Sequence, residues 1–600
     1  MKRLILLAVA IAAAAFAGWY IWALSQQTSS SAASTLLPRE TIFLAHVPDL
    51  NGAREQWHHC DIYLLYREPA VQDFLRKPLA DLAKKDTASD SLREIEQLDP
   101  KNAFFALTSI DNNSPKLVGG FRFRGSPNDA ERVIGKWRSR LLEKNPAAKI
   151  EKVQYERHEI ELIAATPFGL ATAYDRRWFF AATDLTELKA LLDRADGRSK
   201  NPMETLGKDE AYRAAIAHRS TNYAAFFYLQ PKTLSERFAA LRAAIQGSAT
   251  ANPRKLSGLE QVRSICGTVQ FENGKIHDLL FVGMPKLEQD GALTRSSLTL
   301  GTKETFFYLS MLLNLGEKIE ALNQAPGIGL SVQKFLQALS DNAITAEDWK
   351  AAFGSEFGAL ADWPSSAHWP SLVLTLPVLD AAKAGKIVEA ATRGDENAIS
   401  IQNEKDGVRY FSMQPAASLF AIAPTIALSN QIMIAGFSPV SVEEAVKRSG
   451  GTSSELSDSQ IFKQAGRLVP PPTNLFAYID TALLYSRLDA SLLPMLSVAA
   501  AFIPAVNRYV DLGKIPAPEV ITKHLSPIVS SQRYDRDGYV AESAGPITLD
   551  QAAVGLAILS GVGATARQKV GSGVTGWSSS AGTPASALNP SPTSAAASTP

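Results

Sequence analysis

The pattern of apolar and polar positions predicts alternating strands and helices. Thr41–Val47 and Thr305–Leu309 are short, largely apolar runs rich in β-branched and aromatic residues, as is typical of strands. The longer stretches Asn128–Leu142 and Ala381–Thr392 repeat apolar residues every three or four positions and predict amphipathic helices. Because both kinds of element are interspersed along the chain, we expect helices to pack on sheets.

Pairs of residues that favour tight turns separate neighbouring strands. Asn273-Gly274 lies between the predicted strands Gly267–Phe271 and Lys275–Phe281, and Asp406-Gly407 and Asp537-Gly538 lie in similar contexts. Such pairs accept the positive φ that a two-residue hairpin turn requires. Hairpins with helices between them predict an α+β fold with mostly antiparallel strands, rather than a doubly wound parallel sheet.

The same order of predicted elements occurs twice along the chain. Glu210–Ala215 and Phe226–Leu229 match Gln460–Ala465 and Phe476–Ile479 at a displacement of 250 positions. Further matches keep this order at slightly larger displacements: Trp178–Ala181 with Ile432–Ala435, and Glu40–Phe43 with Glu304–Phe307. Several matches in one order indicate an internal repeat. We therefore predict two tandem, related α+β lobes, each a mostly antiparallel sheet with packed helices.

The first 25 residues predict a transmembrane signal anchor. Leu4–Leu24 carries no charge, and as a helix it would span about 31 Å, close to the thickness of a bilayer core. Lys2 and Arg3 precede it, so the positive-inside rule keeps the N-terminus in the cytoplasm and sends the rest across. Aromatic residues that favour the membrane interface lie at its far end: Trp19, Tyr20 and Trp22.

A cleaved signal peptide is the alternative interpretation of this segment. Ala15-Phe16-Ala17 has the small-x-small form of a cleavage site, although the apolar run continues through Gly18–Leu24. The anchor would make the chain a single-pass protein of the inner membrane with its bulk in the periplasm. Cleavage would instead release a periplasmic or secreted protein.

Composition separates the ends of the chain from its body. The body has an average content of apolar and charged residues, whereas residues 26–35 are rich in Ser, Ala and Thr and predict a flexible stalk. We place the two lobes at 36–290 and 300–550, an apolar helix at 551–570, and a disordered, uncharged tail at 571–600. With 61 basic and 60 acidic residues, the chain has no global field that attracts nucleic acid, so we predict no such partner.

Four segments carry a resemblance to a known family. They are Leu37–Asp49, Tyr66–Leu75 with its Tyr-Arg-Glu-Pro start, His524–Ile528, and Gly545–Ile547. Their apolar and turn residues are similar to those of an uncharacterised bacterial envelope family, domain of unknown function 3352, over most of residues 36–550. The resemblance implies an anchored extracytoplasmic protein, and it supplies no catalytic residues.

Motifs for catalysis or metal binding are few. Ser331-Val-Gln-Lys334 and Ser340-Asp341-Asn342 match two motifs of penicillin-binding enzymes, but they share one predicted helix and the third motif, Lys-Thr-Gly, is absent. His58 and His59 point about 100° apart on a helix, so they converge poorly on a metal. They belong to a metal-like group that also contains three further residues: His46, Cys60 and Asp61. We predict no catalytic, cofactor-binding or metal-binding residues.

The two cysteines leave two alternatives open. An oxidising periplasm favours a disulfide between Cys60 and Cys266, which would close a long loop. Two buried free thiols are the other interpretation, because free cysteine is among the most buried residue types.

Two surfaces are candidates for binding an envelope component. Basic residues outnumber acidic ones across the strand–helix unit 116–140, which indicates either contact with an anionic lipid or wall polymer or a solvated face. Trp363 and Trp369 bracket a loop, where they either stack on sugar or pack beneath the loop. Of these alternatives, the solvated face and the packed tryptophans are favoured.

Taken together, these features predict a non-enzymatic, membrane-anchored periplasmic protein that binds or supports another component of the bacterial envelope. The expected partners are the inner membrane, through the N-terminal helix, and an unidentified envelope protein, lipid or wall component. An extracytoplasmic hydrolase with a dispersed active site and a carrier of apolar ligands are the alternatives. No cofactor is predicted.

Overall fold

A computed structural model describes most of the chain between residues 31 and 552. The described ranges are 31–83, 93–111, 114–146, 148–164, 169–199, 204–237, 261–287, 291–313, 337, 339–393, 398–415, 423–502 and 511–552. Residues up to Leu549 form one structural unit, and of the second unit, 550–600, only the first three residues are described. The predicted anchor Leu4–Leu24, its aromatic residues Trp19, Tyr20 and Trp22, and the predicted tail lie outside these ranges. No helix among the described residues has both the length and the apolar character of a membrane span.

Strands and helices alternate, as the sequence pattern predicts. The strands are β1 (Phe43–Asp49), β2 (Lys101–Asp111), β3 (Ser114–Arg122), β4 (Lys149–Tyr155), β5 (His158–Ala164), β6 (Leu170–Asp175), β7 (Trp178–Ala182), β8 (Ala225–Leu229), β9 (Ser264–Glu272), β10 (Lys275–Gly283), β11 (Thr305–Leu312), β12 (Glu356–Asp362), β13 (Ser371–Pro377), β14 (Ala398–Lys405), β15 (Val408–Pro415), β16 (Thr425–Leu428), β17 (Ile432–Gly436), β18 (Leu475–Ile479), β19 (Ile528–Asp535) and β20 (Gly538–Gly545). The α-helices among the described residues are α1 (Ser31–Leu36), α2 (Leu50–Trp57), α3 (Asp61–Arg67), α4 (Pro69–Ala83), α5 (Pro127–Lys144), α6 (Leu185–Ala195), α7 (Glu210–Ala217), α8 (Ala346–Ala352), α9 (Ala381–Arg393), α10 (Pro439–Arg448), α11 (Glu455–Asp458), α12 (Gln460–Gly466), α13 (Thr481–Phe502) and α14 (Pro518–Thr522).

Local sequence explains where the predicted helices begin. The helix expected at Asn128–Leu142 is α5, which starts one residue earlier because Ser126 caps it and Pro127 takes the first turn. The Ser126 hydroxyl accepts from the amide of Asp129, and the Asp129 carboxylate accepts from the amide of Ser126. The flexible stalk expected at 26–35 is wrong over its described part. Residues 31–36 form α1, whose Ala33 is fully buried in the core.

The twenty described strands form one continuous antiparallel sheet. Its order is β4-β5-β6-β7-β3-β2-β1-β8-β9-β10-β20-β19-β18-β11-β12-β13-β17-β16-β15-β14. The first half contains β1–β10 and the second half β11–β20. If the strands of each half are numbered from one to ten along the chain, both halves have the same order from the outer edge inward: 4-5-6-7-3-2-1-8-9-10. The α+β class with antiparallel strands is therefore confirmed.

The two halves of the sheet meet where β10 pairs with β20. Leu279 pairs with Glu542 at the centre, and Ile276–Gly545 and Val282–Tyr539 lie three positions to either side. Hairpins of equal length lead into both strands, because Glu272 closes on Lys275 and Asp535 closes on Gly538. This register is that of a local twofold axis through the Leu279–Glu542 pair.

Aromatic clusters seal one face of the sheet. In the first half, the ring of Tyr212 on α7 stands almost perpendicular to those of Phe226 and Tyr228 on β8, at centroid distances of 6.3 and 5.0 Å. The second half repeats this arrangement at the places that the sequence matches: Phe462, Phe476 and Tyr478. The corresponding distances there are 5.9 and 4.9 Å, and all of these rings are buried. Edge-to-face pairs of this kind add to the stabilisation from apolar burial.

The opposite face carries helices over its outer parts and half-buried apolar residues near its centre. α5 packs on it through Val133 and Ile134, and α9 packs on it through Ile387 and Val388. Between these helices, large apolar side chains point away from the sealed face and are only partly buried. They are Phe227, Leu280, Val282, Phe307 and Leu309. The two faces of the sheet therefore differ in how fully they are covered.

Gly538 provides a test of the central strand pair. A methyl group on Gly538 would lie 2.3 Å from the Val282 carbonyl oxygen and 2.9 Å from the Gly283 Cα, so the β10–β20 backbone would have to separate. We expect Gly538→Ala to lower the free energy of unfolding by about 1–3 kcal/mol. The matched control is Gly466→Ala, since a methyl group there meets nothing within 4 Å. Denaturant unfolding followed by circular dichroism measures both variants, and equal stability of the two would contradict the assigned register.

Candidate functional site

The predicted group of metal-like residues does not converge in the structure. His46 lies in β1 and is buried, with Nδ1 at 3.0 Å from the Tyr223 hydroxyl. Its burial, reinforced by Arg219, lowers the pKa of His46 to about 3, so the ring is neutral. His58 ends α2, whereas Cys60 is buried at the start of α3. Of the two penicillin-binding motifs, Ser331–Lys334 lies outside the described residues.

Within the described ranges, one other group has converging ligand atoms, and it is an ion-pair cluster. His158 Nε2 lies 2.9 Å from Asp196 Oδ2, and Asp175 lies close to both. Arg157 pairs with both carboxylates, and Arg198 also pairs with Asp196. Because two guanidinium groups already neutralise these carboxylates, the cluster is built for structure rather than for a cation. No sequence motif marks this cluster, since its members come from three separate turns.

Both cysteines are free and buried. Cys266 lies among the residues of the sealed face, whereas Cys60 packs with Val269 against the opposite face. Cys266 and Val269 are three positions apart in β9, so they point to opposite sides of the sheet. Of the two alternatives that the sequence leaves open, the structure therefore contains two thiols and no disulfide. Burial raises the pKa of each thiol to about 12.

Internal contacts engage part of each of the two surfaces suggested by the sequence. Acidic residues from other segments neutralise much of the basic unit, as Glu94 pairs with Lys136 at 3.0 Å and Asp111 with Lys116 at 3.2 Å. Trp363 is buried, and its Nε1 donates to the Ala367 carbonyl at 3.1 Å, so it packs beneath the loop. Trp369 is exposed. The solvated face and the packed tryptophan are the better interpretations.

An open cleft of about 550 Å³, lined by polar and charged residues whose aliphatic parts form much of its surface, lies between α2 and the helical turn at 93–97. Each wall presents residues three and four positions apart, which therefore share one helix face. The α2 wall consists of Asn51, Arg54, Glu55 and His58, and the facing wall of Arg93, Glu96 and Gln97. Asp49 fixes the start of α2, because its carboxylate accepts from the Gly52 amide at 2.9 Å.

Hydrogen bonds and an ion pair hold the floor of the cleft. Arg54 pairs with the Glu96 carboxylate across the two walls. Asn51 Nδ2 donates to the Glu96 carbonyl at 3.2 Å and to Asp99 Oδ1 at 2.9 Å. Lys101 bonds Asp49 and Asp99 from below, at 2.6 and 3.1 Å. The floor is therefore held in place, whereas three exposed side chains at the rim have no hydrogen-bond or ion-pair partner within the described residues: Glu55, Arg93 and Gln97.

His58, which lines the cleft, belongs to a row of aromatic contacts that continues away from it. The His58 ring stacks on Tyr63 of α3 at a centroid distance of 4.5 Å, and Tyr63 also contacts Trp57 and Tyr66. Burial, followed by the nearby Arg54, lowers the pKa of His58, so this imidazole is neutral near pH 7. Sequence reasoning considered His58 only as a metal ligand. The sequence pattern that could have indicated the cleft is the polar face of α2, whose residues lie three, four and seven positions after Asn51.

A group of polar contacts away from the cleft joins the two halves of the chain. Glu68, between α3 and α4, accepts from His524 Nε2 at 2.7 Å and from Lys523 Nζ at 2.8 Å. One helical turn further, Asp73 pairs with Lys514 at 3.0 Å. We call these three contacts the clasp. Glu68 and His524 belong to two of the segments that carry the family resemblance, so segments 456 positions apart meet in space.

Comparisons with known proteins give no identification. No family model matches the chain, and no curated protein matches it. Four chains of solved structures do match. Two of them are crystal forms III and IV of TP0453, each 5% identical with a TM-score of 0.23. Their alignments cover 42% of this chain and 80% and 83% of those chains. Likeness at this level does not define a family or a function.

The state of the cysteines can be tested with a thiol reagent. We expect neither Cys60 nor Cys266 to react with dithionitrobenzoate in the folded chain at neutral pH, because both are buried and protonated. After unfolding without reductant, both thiols should react. Absorbance of the released thionitrobenzoate counts them, and a count of zero after unfolding would show a disulfide instead.

The clasp makes a specific prediction for pH. Hydrogen bonds from Lys523 and His524 lower the pKa of Glu68, so the clasp stabilises the fold above the usual carboxyl range and is lost on acidification through that lowered pKa. Glu68→Gln should therefore lower Tm by a few degrees at most near neutral pH, and the difference from wild type should shrink and then vanish as the pH falls below the usual carboxyl range and through the lowered pKa of Glu68.

The matched control for the clasp is Glu236→Gln. Glu236 is exposed and makes no ion pair within the described residues. Thermal unfolding at several pH values would measure both variants. If Glu68→Gln behaved like Glu236→Gln at neutral pH, the Glu68 contacts of the clasp would contribute nothing to stability.

Proposed function

We propose that this chain is a non-enzymatic protein of a bacterial envelope, anchored in the inner membrane, whose periplasmic body binds another envelope component. The apolar segment Leu4–Leu24 behind Lys2 and Arg3, and the resemblance to an extracytoplasmic family, support this location. The binding part of the proposal is carried by one observation. Potentially catalytic histidines such as His46 and His158 are engaged in structural contacts, whereas unbonded donors and acceptors border an open cleft.

We also infer that the two halves of the sheet are related lobes that arose by internal duplication. The strand order of each half is the same, and the sequence displacement of 250 positions brings α7 onto α12 and β8 onto β18. The perpendicular aromatic contacts at these places support the same relation. Each lobe then contributes ten strands to the sheet.

A carrier of apolar ligands is the second candidate function. The half-buried apolar side chains on the less covered face of the sheet, such as Leu280 and Phe307, favour it. A carrier would hold lipid after purification of the full chain in detergent. Organic extraction followed by mass spectrometry therefore separates the carrier from the polar binding function.

The proposed location is tested by adding protease to spheroplasts. We expect the body, residues 36–600, to be degraded from outside while a cytoplasmic marker protein survives. Membranes washed with alkaline carbonate should retain the chain if the N-terminal segment is an anchor and release it if that segment is cleaved. Survival of the body in intact spheroplasts, with degradation after lysis, would overturn the location.

A further inference from the structure

We infer that the cleft between α2 and the helical turn at 93–97 is a binding site for a neutral oligosaccharide. This inference rests on the proposed binding function and names the class of its ligand. A volume of about 550 Å³ lies in the range of small-molecule sites and suits a short oligosaccharide.

The charges around the cleft favour a neutral ligand. Arg54 and Arg93 are balanced by Glu55 and Glu96, and the fifth ionisable group, His58, is neutral. An anionic ligand would meet two carboxylates, and a cationic ligand would meet two guanidinium groups. The lining nevertheless offers both donors and acceptors. A sugar hydroxyl, which donates and accepts at once, can use both.

The arrangement of floor and rim suits vicinal hydroxyl groups. The Arg54–Glu96 pair and the Asn51 amide hold the floor before any ligand arrives, so binding costs little ordering there. At the rim, the planar groups of Arg93 and Gln97 each present two neighbouring polar atoms to solvent. Adjacent hydroxyls of a pyranose ring match such pairs of atoms.

The aromatic ring of His58 suits the other side of a sugar ring. A pyranose presents C–H groups on its faces and hydroxyls around its edge. The His58 ring offers an apolar surface beside the polar side chains of the cleft, and its stacking on Tyr63 holds the ring in place. Tyr66, which contacts Tyr63, is 45% exposed outside the lining. Polar walls beside an aromatic surface therefore complement both parts of one ligand.

The experiment is calorimetric titration of the full chain in a detergent without a sugar headgroup, such as an amine oxide. The probes are chitotetraose, cellotetraose and maltotetraose, with tetragalacturonate as an acidic counterpart. We expect at least one neutral probe to bind and tetragalacturonate to bind more weakly. Arg93→Ala combined with Gln97→Ala should weaken binding of that probe by about tenfold or more, because two polar groups at the rim are lost.

The matched control is Arg132→Ala, which removes an arginine that is 73% exposed and lies outside the cleft. Its affinity for the probe should equal that of the wild type, and circular dichroism should show that every variant is folded. Failure of all three neutral probes, tighter binding of tetragalacturonate, or unchanged binding by the double variant would overturn the inference. Protease accessibility tests the proposed location separately, so a periplasmic body without glycan binding would refute this inference alone.

Discussion

The pairing of β10 with β20 is the contact on which the rest of the structure depends. Without it, each half of the chain would end in an open strand edge with a row of unpaired amide and carbonyl groups. With it, the sheet is continuous, and Val540 of β20 joins the aromatic core of the first half beside Phe281. Side chains reinforce the seam, since the Tyr539 hydroxyl accepts from the Leu287 amide at 3.0 Å. The two halves are therefore one folded body rather than two linked domains.

The short helix α3 links the cleft to the clasp. His58 in the cleft stacks on Tyr63 of α3, and Glu68, directly after α3, bonds to His524 of the other half. The position of the cleft wall therefore depends on a contact between halves as well as on the local floor. The segment Tyr66–Pro69 has no regular apolar periodicity, yet it has a structural role. Its polar residues form contacts between separate elements, and such contacts leave no periodic pattern in the sequence.

Local patterns in the sequence predicted the elements but not how distant elements meet. The hairpin at Asn273-Gly274 follows from turn chemistry, and β9 and β10 lie on either side of it as expected. The β10–β20 pairing joins strands about 260 positions apart, and periodicity carries no information on such partners. The ion pair of Arg54 with Glu96 was missed for the same reason. α1 was missed because its Ser- and Ala-rich composition resembles a linker, although packing of Ala33 decides its structure.

At equivalent positions of the sheet, the two halves carry different polar side chains. His46 of β1 and Ser310 of β11 occupy equivalent, buried places, but His46 bonds to Tyr223 whereas Ser310 donates to the buried carboxylate of Glu356 at 3.1 Å. The backbone amide of Thr294 also donates a hydrogen bond to that carboxylate, at 2.7 Å. Each half thus gives a buried polar group its own partners, although Nε2 of His46 has no hydrogen-bond partner among the described residues. Since the sheet and its aromatic contacts are shared, the properties that distinguish the halves must come from such substitutions and from the elements outside the sheet. The cleft between α2 and the helical turn at 93–97 lies in the first half, and it is where a specific binding function would arise.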